Sequence, residues 1–265
     1  MSALTITIIQ SNLHWEDKEK NLSSFATKIK SIQGKKQLVL LPEMFSTGFS
    51  MNAEKLAEDM DGPTIGWMHK TSLENSIILA GSLIIRENGK YLNRFIWMQP
   101  NGEFGYYDKR HLFAFAGEDK HYAPGKNRLI TSVNGWKVNC QICYDLRFPV
   151  WARQQITSGE KEAEYDILLY VANWPERRSL AWKSLLTAGA IENQCFVIGV
   201  NRVGEDVNGI MHSGDSMIID PMGEILYHKN GVEDIFTLTI DKSILDKTRN
   251  NLPFLKDADQ FHISD

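Results

Sequence analysis

The feature that most restricts the fold is a mixture of two kinds of connection. Strand-like and helix-like runs alternate throughout the chain, yet several neighbouring strands are joined by turns too short to hold a helix. Thr5–Ile9 reads as a strand, and Asp17–Gln33 as a helix with Leu22, Phe25, Ile29 and Ile32 on one face and Gly34 placed to end it. Gln37–Leu41 is a short apolar run that stops at Pro42-Glu43, and Pro63–Ser76 is helical in pattern. Strand Ile77–Ile85 turns through Glu87-Asn-Gly-Lys90 into strand Tyr91–Met98, and Pro100-Asn-Gly-Glu103 turns the chain again. Beyond loop-rich residues 110–127, the Asn134-Gly135 turn leads into strand Trp136–Ile142. Residues 148–157 and Ser179–Asn193 read as helices. Asp166–Ala172, Cys195–Asn201, Ser216–Ile219, Ile225–Tyr227 and Ile235–Ile240 read as strands, with a turn at Pro221-Met-Gly-Glu224 and Asp241 capping a short last helix.

Hairpins among the helices argue against a purely parallel doubly wound sheet, and helices among the strands argue against a plain sandwich. Two mixed sheets packed face to face, each with helices on its outer side, satisfy both. No low-complexity segment, linker or short repeat divides the 265 residues, so residues 1–265 are expected to form one domain. Hydrophobic residues at 43% and charged residues at 23% allow a substantial core. A net charge of -4 with no basic stripe argues against a nucleic-acid surface, and the lysines between Lys28 and Lys36 read as the end of an amphipathic helix. No apolar run approaches the roughly 18–20 residues that cross a bilayer. Met1–Gln10 alternates like a strand and carries no basic region followed by a small-residue cleavage site, so a soluble cytoplasmic protein is expected.

Three cysteines, Cys140, Cys143 and Cys195, are too few for a disulfide scaffold. The Cys140-x-x-Cys143 spacing invites a redox or zinc reading, but there is no second such pair and no closely spaced pair of histidines. Strand alternation also separates the two thiols: Val138, Cys140 and Ile142 point one way, while Asn139, Gln141 and Cys143 point the other. Cys140 then reads as a small core residue. Cys143 ends its strand, where α/β enzymes place reacting groups, although an inert buried thiol is the competing reading.

A nucleophilic cysteine needs a base or a nearby positive charge, because a free thiol is only a few per cent ionised at neutral pH. Seven histidines are present and no motif ties any of them to Cys143. A carboxylate and a lysine offer an alternative. Leu38-Val-Leu-Leu-Pro-Glu43 sets a glutamate just past an apolar strand, where partial desolvation suits it to take a thiol proton. Lys109 lies among aromatic and apolar residues in Tyr106-Tyr-Asp-Lys-Arg-His-Leu-Phe113. Taken singly, each has a plain structural reading: a turn glutamate, and a lysine snorkelling at the surface.

Together, Leu-Leu-Pro-Glu43, Tyr-Asp-Lys109-x-x-Leu-Phe and Ile-Cys143-Tyr-Asp-x-Arg-Phe-Pro resemble the nitrilase, or carbon–nitrogen hydrolase, superfamily. The resemblance continues through Gly117-Glu118, Tyr122-Ala-Pro-Gly125, Ala172-Asn-Trp-Pro175, Ala190-Ile-Glu-Asn-Gln194, Val200-Asn-Arg-Val-Gly204, Ser213-Gly-Asp-Ser216 and Asp220-Pro-Met-Gly223. It implies a four-layer α-β-β-α sandwich and a Glu-Lys-Cys triad at Glu43, Lys109 and Cys143, with Glu118 in support. It implies amide hydrolysis through a thioester, without a metal or other cofactor. The oxyanion is expected between Lys109 and the backbone N–H of Tyr144. It also implies a homodimer or higher homo-oligomer. One departure is Gly189, where the family usually carries Arg; the position belongs to a helix and bears on local packing or assembly more than on chemistry.

Asn173-Trp-Pro-Glu-Arg-Arg-Ser-Leu-Ala-Trp182 and Ser213-Gly-Asp-Ser216 look most like the bacterial ω-amidase branch, which implies monoamides of 2-oxo dicarboxylic acids such as 2-oxoglutaramate and 2-oxosuccinamate. The free carboxylate of such a substrate needs a cation, and Arg177 or Arg178 can supply it. Phe45, Phe49, Phe115 and Trp174 are candidate pocket walls. Rival readings are an N-carbamoyl-amine or other aliphatic amide or nitrile hydrolase on the same triad, a catalytically silent binding subunit, and a thiol redox protein.

Overall fold

A computed structural model describes residues 2–156 and 163–264. The first half of the chain contains β1 (Ala3–Gln10), α1 (Lys18–Ser31), β2 (Leu38–Leu40), α2 (Ala53–Leu56) and α3 (Pro63–Asn75). It continues with β3 (Ile78–Glu87), β4 (Lys90–Met98) and β5 (Phe104–Asp108). The second half begins with β6 (Leu129–Val133), β7 (Trp136–Ile142), α4 (Pro149–Ala152), β8 (Ile167–Ala172) and α5 (Ser179–Asn193). It ends with β9 (Phe196–Asn201), β10 (Val203–Glu205), β11 (Met211–Ile219), β12 (Ile225–Asn230), β13 (Asp234–Asp241) and α6 (Lys242–Asn251).

The strands form two mixed sheets. One runs β13-β1-β2-β3-β4-β5; the other runs β10-β11-β9-β8-β7-β6, with β12 also on β11. In each sheet the central strands are parallel, β1, β2 and β3 in one and β7, β8 and β9 in the other, and antiparallel strands flank them. Three apolar layers follow from the alternation. Leu4, Ile6, Phe95 and Trp97 meet Val138, Cys140, Ile142 and Ile198 between the sheets. Phe25 and Ile29 of α1 and Ile65 and Met68 of α3 cover Val39, Leu79 and Ile96 on one outer face. Trp182, Leu186 and Ala190 of α5 cover Leu168, Val197 and Met217 on the other. The chain is thus the expected four-layer α-β-β-α sandwich, and each fully buried apolar side chain in it contributes about 1.5–3 kcal/mol.

Helix α1 starts where Asp17 accepts the backbone N–H of Lys20 at 3.1 Å, a side-chain cap on an otherwise unpaired donor. The helix expected over 148–157 is much shorter. Only Pro149–Ala152 is helical, residues 153–156 are extended or irregular, and Thr157 lies outside the described residues. The cause is Gln154, whose backbone N–H donates to Asn193 Oδ1 at 2.9 Å and whose Nε2 donates to the Asn193 carbonyl at 2.6 Å. Bonding to the end of α5 replaces continuation of the helix. Three strands go beyond the sequence expectation: β5 and β6, on the edges of their sheets, and the three-residue β10.

Candidate active site

Parallel strands that start together end together, and the candidate residues collect at the ends of β2, β7 and β8. Beyond β2, the backbone N–H of Leu41 stays bonded to the Ala80 carbonyl of β3 at 2.8 Å, so Glu43 follows on a chain still tied to the sheet. At the end of β7, Cys143 opens a tight 3₁₀ turn, Cys143–Arg147, with φ at 45°. That left-handed conformation is costly for a residue with a Cβ. Asp145 offsets the cost by accepting the Ile142 backbone N–H at 3.0 Å. Ile142 is in register with Val171 of β8, which places Asn173 beside the elbow.

Lys109 follows β5 and is held by its N–H to the Asn93 carbonyl of β4 at 3.0 Å. Its own carbonyl accepts the Gly125 N–H at 2.9 Å. A Cβ on Gly125 would come within 2.0 Å of the Asp108 carbonyl oxygen, so only glycine lets residues 117–125 pack this closely. The close approach brings Glu118 against Lys109. Lys109 Nζ donates to Glu43 Oε1 at 2.9 Å and to both oxygens of Glu118 at 3.0 and 2.9 Å, and all three side chains are buried.

Glu43 accepts from further donors. Asn93 Nδ2 lies 2.8 Å from Oε1, and the Asn173 backbone N–H lies 2.8 Å from Oε2. Asn173 Nδ2 also donates to the Glu43 carbonyl at 2.6 Å, so a group from each sheet meets across the interior. Glu118 is tied further by the Phe113 N–H, 2.6 Å from Oε2. Two carboxylates around one ammonium set the protonation states. Their field holds the Lys109 ammonium above its ordinary range in spite of burial, so the amine stays charged. Burial raises the Glu118 carboxyl. Burial, with Glu43 adding to it, pushes the half-buried Cys143 thiol well above its ordinary value, against the pull of Lys109. The thiol is therefore protonated at rest.

The site opens into a cavity of about 630 Å³ lined by Cys143 and Lys109 together with Tyr144, Trp174, Phe115, Arg177 and Arg178. Apart from Phe45, every residue expected at the site is thus either in the buried cluster or on this wall. Phe49 lines the cavity too, 5.1 Å from the Lys109 ammonium. Phe45 does not. It is buried in the outer layer, edge-on to Phe25 at 5.7 Å, because its backbone follows the turn at Met44 (φ 43°) away from the cavity. Arg178 packs over Phe113 and Arg147 over Trp174, each 5.1 Å from the ring centre. The far wall adds Arg202, Asp206, Ile210 and His212.

Sequence reasoning assigned no role to Asn93, Asp145, Asn173, Arg147 or Arg202. The one signal for Asn93 is a polar residue on the inward face of an otherwise apolar strand. Asp145, Arg147, Asn173 and Arg202 all lay inside quoted motifs. Gly189 is buried on the inner side of α5, where a Cβ would make ordinary contact with Leu168 and Val197 at 3.8 and 3.9 Å.

The profile of the carbon-nitrogen hydrolase family matches residues 5–250. The omega-amidase YafV of Yersinia enterocolitica is 41% identical over 262 residues, 98% of this chain and 99% of that protein. The 2-oxoglutaramate amidase of Bacillus subtilis (strain 168) is 31% identical over 256 residues, 96% of each chain. Among solved structures, XC1258 from Xanthomonas campestris, a CN-hydrolase superfamily protein with an arsenic adduct in its active site, superposes with a TM-score of 0.97 at 40% identity, covering 100% of both chains.

Proposed function

Since the chain belongs to the carbon–nitrogen hydrolase family and is an amidase, we propose that it works as an ω-amidase on monoamides of small 2-oxo dicarboxylic acids, 2-oxoglutaramate and 2-oxosuccinamate. The observation that carries this substrate class is the charge of the cavity wall. Arg147, Arg177, Arg178 and Arg202 line it, and none of them pairs with a carboxylate among the described residues; Asp206 is the sole acid on that wall. Guanidinium groups left without a counter-ion suit a substrate that brings its own carboxylate. Arg178 is the best placed: burial and its neighbours Arg177 and Arg147 disfavour its charge, a penalty that an incoming anion relieves. The similarity to the ω-amidase of Yersinia enterocolitica and the 2-oxoglutaramate amidase of Bacillus subtilis supports the same substrate class.

In this reading Cys143 is the nucleophile and Glu43 its base. Proton transfer to Glu43 accompanies attack of Sγ on the amide carbon, because the resting thiol is neutral. One Lys109 N–H goes to Glu43 and one is shared between the two oxygens of Glu118; the third, with the backbone N–H of Tyr144, receives the oxyanion. Glu43 returns the proton to the leaving nitrogen, ammonia departs, and water activated by Glu43 hydrolyses the thioester. Glu118 keeps Lys109 charged and in place. The chemistry needs no cofactor.

Residues 1–265 form one hydrolase unit in this reading, supported by a shared inter-sheet layer that draws on residues from Leu4 to Leu245. No helix among the described residues is long and apolar enough to cross a membrane. Free, unpaired Cys140 and Cys195 in the core suit a reducing compartment, the cytoplasm. Helix α5 exposes Leu180, and its Ile191 lies beside exposed Ile225 of β12, apolar surface suited to a second copy in a homodimer. The deciding experiment is ammonia release from a panel of 2-oxo acid amides, amino acid amides, carbamoyl compounds and nitriles. The 2-oxo dicarboxylic monoamides should show the highest kcat/KM. Faster release of ammonia together with carbon dioxide from carbamoyl compounds would replace this substrate class.

A further inference from the structure

Asn93 lies inside β4 on the face that Phe95 and Trp97 turn toward the layer between the sheets, and it is fully buried. An amide in such a layer is tolerated only when its polar atoms are paired. The pairing here also decides which way the amide points. The Met44 backbone N–H donates to Ser82 Oγ at 2.9 Å, so the Ser82 hydroxyl proton goes to Asn93 Oδ1, also at 2.9 Å. Ser82 and Asn93 are diagonal neighbours on adjacent strands, since Ile84 is the residue in register with Asn93. With Oδ1 engaged, Nδ2 must face the opposite way, and there it donates to Glu43 Oε1 at 2.8 Å and to Glu118 Oε1 at 3.3 Å.

The two glutamates share a single ammonium. Asn93 puts the positive end of a neutral dipole at the point where the two carboxylates face one another. We propose that Asn93 is a positioning residue that, through the Ser82–Asn93 relay, fixes Glu43 Oε1 for proton transfer. The inference rests on the reading of Glu43 as general base. The groups facing Glu43 are Lys109 after β5, Glu118 in the following loop, Cys143 at the elbow and Tyr122, besides the Asn173 and Asn93 donors. Only Lys109 and Asn93 donate to Oε1 among the described residues. Without Asn93, Oε1 keeps Lys109 as its one donor among the described residues and is held less firmly for proton transfer.

The test is the pH dependence of kcat/KM on whichever amide the wild-type protein turns over. Asn93→Ala should lower kcat by about tenfold or more, with KM changed less than kcat. Asn93→Asp is the nearly isosteric second variant, chosen so that folding is preserved. Its new carboxyl meets two carboxylate oxygens and donates only while protonated, so its activity relative to wild type should fall as pH rises. A residue that only holds the fold would lower activity equally at every pH. Glu43→Gln is assayed alongside. Activity in Glu43→Gln would remove the general-base reading. An inactive Glu43→Gln with both Asn93 variants keeping the wild-type kcat and pH profile would overturn the positioning role alone.

Discussion

Asp145→Asn changes one atom and should destabilise the protein by several kcal/mol. The Asp145 carboxylate is wholly buried and accepts four hydrogen bonds. Oδ1 takes the His111 backbone N–H at 3.0 Å and faces His111 Nδ1 at 2.9 Å; Oδ2 takes the Tyr107 hydroxyl at 2.8 Å and the Ile142 N–H at 3.0 Å. An asparagine must present an NH₂ group on one side. Facing His111, it meets a backbone N–H that cannot reverse, although the ring can change tautomer. Facing the other side, it meets the Ile142 N–H and the Tyr107 hydroxyl. That hydroxyl already accepts from the Arg110 N–H and from Trp151 Nε1, so its proton has nowhere else to go. Either orientation sets at least one buried backbone donor against another donor and loses the charge on the acceptor. At about 1–3 kcal/mol for each unsatisfied buried group, the total is about 3–5 kcal/mol. That is a large part of the roughly 5–15 kcal/mol available to a typical protein. Urea unfolding followed by tryptophan fluorescence measures it. The same carboxylate joins the elbow of Cys143 to the segment after Lys109, so kcat should fall in whatever fraction stays folded. A loss below about 1 kcal/mol would refute the hydrogen-bond accounting.

Cys143→Ala should abolish ammonia release while leaving the circular dichroism spectrum unchanged, and appreciable turnover would remove the nucleophile. Arg178→Leu should raise KM for a 2-oxo dicarboxylic monoamide by about 10- to 100-fold, the worth of one charge-assisted hydrogen bond, and leave an uncharged aliphatic amide within twofold. Equal losses on both substrates would show that Arg178 does not read the carboxylate. Gly189→Ala should stabilise the fold by about 1 kcal/mol, because the interior of α5 gains a helix former where a Cβ has room; a lower urea midpoint would contradict that. Burial and nearby Arg202 hold His212 down to about 4, below its usual value of 6.5, so the unfolded chain takes up this proton first as pH falls. Its contribution is complete above about pH 6.5 and is lost toward pH 4, about 3 kcal/mol in all. Unfolding free energies of His212→Gln measured across that window should therefore depend less steeply on pH than those of the wild type.

The alternation of periods was enough to place the two sheets, the flanking helices and the chain turns, because burial on one face of a strand or helix writes itself into adjacent residues. It was also enough to set Glu43 and Cys143 at strand ends and to separate Cys143 from Cys140, which the inter-sheet layer encloses. Strands β5 and β6 escaped because edge strands are half-exposed and carry no continuous apolar run. Which polar residues join the site was a different matter. Asn93 and Glu43 are 50 positions apart, and Asn173 and Glu43 are 130 apart. Phe45 and Phe49 look alike in sequence, yet one is packed in the outer layer and the other lines the cavity. Local pattern records which face of an element is buried. Only the meeting of the two sheets decides which buried polar atoms find each other, and those pairings determine how Glu43, Lys109 and Cys143 are held.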